Sequence, residues 1–181
     1  MAVACAQAAA EGRSDDSAVT ACNQAVTMER LNRSNMIAAQ VNRGAVYLMR
    51  RDGAHALEAY DAVIALDDEN ADAHMSRGIA LQMLGRPGPA VAALTEALSL
   101  GVARPHMAYY YRAAAREGLG DTRGAYEDYR TALEIEPNWG PAFEELARFA
   151  RIRRDELASM HEDGEGQSLP PAAQDNLEQT P

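Results

Sequence analysis

Four histidines, two cysteines and a recurring arginine are the side chains of this sequence best suited to coordinate, attack or clamp a ligand. His55, His74, His106 and His161 show no metal-ligand spacing with one another or with the cysteines. No glycine-rich phosphate loop, nucleophile elbow or His-Glu-x-x-His helix occurs. No Ser or Asp stands at a spacing from a His that points to catalysis. The sequence therefore reads as a protein that is not an enzyme and takes no cofactor and no metal. Arg43, Arg77 and Arg112 recur at spacings of 34 and 35 residues. Such a ladder of guanidiniums can take carboxylates or phosphates of a partner. Equally, each can pair with a nearby acid such as Glu58, Asp61, Glu127 or Asp128, because an unpaired charge beside a core is expensive.

The elements that carry these residues repeat. Asn42-Arg43-Gly44 and Ser76-Arg77-Gly78 are 34 residues apart, and Tyr111-Arg112-Ala113 follows at the same interval or one residue more. Twelve residues beyond each glycine-type position stands a small residue, Ala56, Ala90 or Ala125. Four further on comes a large one, Tyr60, Leu94 or Tyr129, and three beyond that Val63, Ala97 or Ala132. Turn signals at Arg51-Asp52-Gly53, Leu84-Gly85-Arg86-Pro87 and Leu119-Gly120-Asp121 divide each unit into two helices. Small residues on both helices let their backbones approach, and the larger residues fill the space beyond. Val, Ile and Thr are sparse, which argues against strands.

This pattern resembles the tetratricopeptide repeat family, with three consecutive copies at residues 37–70, 71–105 and 106–139. His74 and Gln40 stand where that family usually has an aromatic, and Asp68 replaces the closing proline of the first copy. Arg replaces Leu before the small residue in all three. The resemblance implies an all-α, right-handed superhelical solenoid of about three helical hairpins. Residues 1–36 read as a divergent capping pair, with helices over 2–11 and 15–28 and Ala18, Cys22 and Ala25 at the small-large-small positions. Residues 140–159 read as a capping helix with Phe143, Leu146 and Leu157 on one face. Residues 160–181 are polar and acidic and contain Pro170-Pro171, so disorder is expected there.

Cys5 and Cys22 lie on opposite arms of the first hairpin, each about eight residues from its turn, at inward positions that face each other. The expectation is a disulfide, with two buried free thiols as the alternative. A disulfide would place the protein outside a reducing cytosol, in a bacterial periplasm or envelope, and free thiols would leave a cytoplasmic location open. Met1-Ala2-Val3-Ala4 is too short and uncharged to be a signal peptide.

The formal net charge is −10, and after Arg154 seven acids follow with no Lys or Arg. The repeat body is only mildly acidic and offers no basic face for nucleic acid. No run of eighteen apolar residues spans a membrane.

In tetratricopeptide proteins the first helix of each repeat lines a concave groove. Carried over, this implies a groove of Val41, Asn42 and Ala45, then Met75, Ser76 and Ile79, then Met107, Tyr110 and Tyr111. Some members grip the terminal carboxylate of a chaperone with a Lys/Asn/Arg clamp. Here Val41, Ala45, Met107 and Tyr111 occupy the charged positions, so the resemblance implies a partner of another kind. Met and Tyr suit an apolar helix or extended segment. The function expected is an adaptor that binds a protein or peptide segment. The alternative is a structural part of a bacterial envelope assembly, held through its caps or convex face.

Overall fold

The computed structural model describes residues 1–28 and 30–165, with side chains through 155. Among these the chain forms α1 (Ala2–Ala10), α2 (Asp16–Met28), α3 (Arg33–Met49), α4 (Gly53–Leu66), α5 (Ala71–Met83), α6 (Pro87–Ser99), α7 (Pro105–Gly118), α8 (Thr122–Ile135) and α9 (Gly140–Glu165). Local chemistry sets the starts. The side chains of Asn32, Asp52, Asn70 and Asp121 accept the backbone N–H groups of Asn35, His55, Ala73 and Gly124, satisfying donors that a helix N-terminus leaves free. Pro87 and Pro105 open α6 and α7, where a missing N–H costs nothing. Gly12, Gly85 and Gly120 end first helices in the left-handed region, and Arg51 holds the equivalent place at φ 62°. A side chain in that conformation costs about 1–2 kcal/mol.

The helices pair as antiparallel hairpins, α1–α2, α3–α4, α5–α6 and α7–α8, and each second helix packs on the next first helix. α3 touches α5 and α5 touches α7, whereas no comparable contact joins α4 to α6 or α6 to α8. The first helices therefore crowd together on the concave side and the second helices splay on the convex side.

The crossing point of each hairpin has one recurring design. A Cβ on Gly44 would lie 2.6 Å from the Tyr60 ring, and one on Gly78 would lie 2.5 Å from Leu94 Cγ. In the third repeat Ala113 and Tyr129 share one buried cluster. In the first hairpin this contact is replaced by a bond, with Cys5 and Cys22 joined at a Cα separation of 4.6 Å. Both sulfurs are fully buried among Ala8, Ala18, Ala25 and Ala39. Gly78→Ala is expected to lower stability by about 1–3 kcal/mol through overpacking. That outweighs the roughly 1 kcal/mol gained in helix propensity. The midpoint of urea unfolding measures the difference, and an unchanged or higher midpoint would show that Leu94 moves aside freely.

One boundary differs from expectation. α9 runs to Glu165, so residues 160–165 are helical rather than irregular. The rest of the expected tail, 166–181, lies outside the described residues. The capping helix holds on through Arg148, whose guanidinium reaches Glu117 on α7 at 2.6 Å and Glu145 at 2.7 Å.

Candidate protein-interaction groove

The arginine ladder proves internal. Arg43 pairs with Glu58 across its own hairpin at 2.9 Å, and Arg77 reaches back to Asp61 on α4 at 2.6 Å. Arg112 donates two bonds of 2.8 Å to Asp128, which also takes Arg116 at 3.0 Å. Arg112 further meets Thr95 on α6 at 3.2 Å and lies over the Tyr109 ring. Each arginine of the ladder is therefore paired with an acid on another helix of the solenoid. In α3, Gln40 Oε1 and Arg43 Nε are buried without a hydrogen-bond partner. His55 stacks on Tyr47 and bonds Asp52, His74 bonds the Asp68 carbonyl, and His106 meets Trp139 edge-on. Among the described residues, no three metal-ligating side chains are placed to hold an ion.

Of the residues expected to line the groove, Val41, Asn42 and Ala45 of α3 are half-buried, as are Ser76 and Ile79 of α5 and Met107, Tyr110 and Tyr111 of α7. Met75 is not on this surface. It is 2% exposed and packs in the central cluster with Leu81, Leu94 and Ala108. Its long unbranched side chain turns inward and fills the gap between the third and fourth hairpins. Ser76 hydrogen-bonds the Tyr60 hydroxyl, whose ionisation is pushed up chiefly by burial.

The third-repeat end of the groove is aromatic. Tyr110 has Trp139 at 4.9 Å, Tyr111 at 5.4 Å and Tyr129 at 5.5 Å between ring centroids. Burial, then the carboxylate of Glu145, raises the Tyr110 hydroxyl above its usual range. Trp139 is half-buried and was missed in the sequence because it follows Pro137-Asn138 in an exit turn. The signal was its position, 33 residues after His106, where the next repeat folds back.

No protein-family model and no curated protein sequence matches the chain. Solved structures do. The second tetratricopeptide domain of human RPAP3, in complex with an HSP70 peptide, is 26% identical at a TM-score of 0.60, covering 65% of this chain and 97% of that one. The first such domain of Spaghetti, bound to an HSP90 peptide, is 25% identical at a TM-score of 0.60, over 65% and 95%. MamA shares the fold at a TM-score of 0.68 and 21% identity, over 90% of this chain and 96% of that one. With three in-register hairpins, glycine-to-large-residue crossings and these likenesses, the chain is a protein of the tetratricopeptide-repeat type, an all-α right-handed solenoid.

Proposed function

We propose that the chain is a protein-interaction module whose inner face binds a segment of another protein. What supports this reading is that Asn42 and Ala45 of α3, Ser76 and Ile79 of α5, and Met107 and Tyr111 of α7, all on the first helices of successive hairpins, are only half-buried. Apolar side chains with a few amide and hydroxyl groups fit an amphipathic helix or an extended segment. The likeness to domains bound to chaperone peptides supports the class of ligand. It does not extend to the same peptides, since the positions of a carboxylate clamp hold Val41, Ala45, Met107 and Tyr111. The partner is thus recognised by apolar side chains along its length rather than by a terminal carboxylate. No catalytic role is proposed, and no membrane-crossing helix occurs among the described residues.

Ala45→Arg combined with Tyr111→Ala is expected to weaken binding at least tenfold, as loss of an aromatic anchor costs about 2 kcal/mol or more. Titration calorimetry against the co-purified partner measures it, with circular dichroism unchanged. Full affinity in that variant would favour the alternative, an envelope component held through its caps or convex face. The buried Cys5–Cys22 bond supports work outside a reducing cytosol, and we place the protein in a bacterial periplasm or envelope. Protein trapped with an alkylating agent at lysis of its native cells should carry no label at either cysteine. Alkylation of both would refute this location.

A further inference from the structure

The C-terminal end of the solenoid is built as an unfinished repeat. Ala147 follows Ala113 by 34 residues, and Phe143 and Leu146 precede it as the first helix of a repeat requires. Yet α9 runs on unbroken to Glu165, so no second helix folds back along it there. Phe143 consequently stays 64% exposed. Beside it, α8 and α9 leave open a cleft of about 630 Å³ walled by Arg123, Tyr126, Leu146, Phe149, Ile152 and Arg153. Its floor is apolar, with the Phe149 ring 5.9 Å from that of Tyr126. Tyr126 and Ile152 remain 43% and 46% exposed. Arg123 is shared with Glu127 at 3.0 Å, whereas Arg153 has no ion pair among the described residues.

The cleft wants an apolar side chain flanked by carboxylates, and the chain itself carries one. Beyond Arg154 the sequence has no Lys or Arg, and Leu177 stands between Asp175 and Glu178. Reach permits the contact. At 1.5 Å per residue, Glu165 lies about 20 Å along α9 from Ile152. The twelve residues from 166 to 177 span up to about 40 Å when extended. We propose that residues 174–181 bind back into the α8–α9 cleft, with Leu177 on Phe149, Tyr126 and Ile152 and with Asp175 and Glu178 towards Arg153 and Arg123. The segment then covers the apolar surface that a further helix covers in an internal repeat. This contact lies outside the inner face, so it stands or falls independently of the groove.

Methyl-labelled NMR of the full chain at low salt tests it. Leu177 methyls are expected to show cross-peaks to the Ile152 δ1 methyl and to the Phe149 ring. Leu177→Ser should shift the Ile152 methyl, and Arg153→Glu should abolish the cross-peaks. Restoration by Asp175→Arg with Glu178→Arg would support the charge pairing, and the contact should fade as salt screens it. Neither tail substitution can unfold the solenoid, so a loss of fold does not confuse the result. Leu177 methyls with no cross-peak to α8 or α9 would overturn the proposal. So would cross-peaks found only between labelled and unlabelled molecules, which would assign the cleft to a second copy.

Discussion

Asp128→Ala is expected to destabilise the protein by about 3–5 kcal/mol, the cost of leaving a buried charge without its partner. Asp128 is 3% exposed and carries two guanidiniums, Arg112 through paired 2.8 Å bonds and Arg116 at 3.0 Å. Its bond to Arg112 is the leading cause that holds that guanidinium above its ordinary range. Without the carboxylate, Arg112 keeps only Thr95 and the face of Tyr109, neither of which carries charge. The fair control is Glu127→Ala, which removes the exposed pair with Arg123 one turn away. That change should cost no more than about 0.5 kcal/mol, because water already screens it. Urea titration of the two variants measures the contrast. Equal midpoints would show that the buried pair contributes no more than a surface one.

Replacing both cysteines, Cys5→Ala with Cys22→Ala, is expected to cost about 3 kcal/mol in the chain-entropy account of a loop of this size. The bridged residues are 17 apart. The loss should be local. α1 has nine residues, most of them alanine, and is too short to persist alone. Solenoid units depend mainly on their neighbours, so α1 and α2 should open while the repeats from α5 onward hold. Hydrogen exchange followed by mass spectrometry should show lost protection over residues 2–28 and little change past 71. Uniform loss along the whole chain would mean that the first hairpin nucleates the fold.

Much of this architecture was legible before any coordinates, and the reasons are specific. The 34-residue recurrence of Asn-Arg-Gly and Ser-Arg-Gly exists because only a very small residue fits against Tyr60 or Leu94. The cysteines were readable from the same register, since they stand where that close contact occurs in the other hairpins. The groove was less legible. Repeat position alone assigns Met75 to the inner wall, but a flexible side chain chooses between groove and core by the space beneath it, and here the core has room. Tyr110 was placed on the right helix, yet its role depends on Trp139, which arrives from a turn far along the chain. The arginine ladder looked uniform, but Arg77 pairs backwards to the preceding hairpin while Arg43 and Arg112 pair within their own. Sequence spacing cannot distinguish those directions, because acids lie within reach on both sides.

The claim that the inner face is the binding surface is tested most directly by mapping it. The isotope-labelled chain should be titrated with short segments selected against it from a random-peptide display library, and amide shifts followed residue by residue. The account predicts changes concentrated at Asn42, Ala45, Ser76, Ile79, Met107 and Tyr111, on α3, α5 and α7 together. Shifts confined to α4 and α6, or to the two ends of the solenoid, would contradict it.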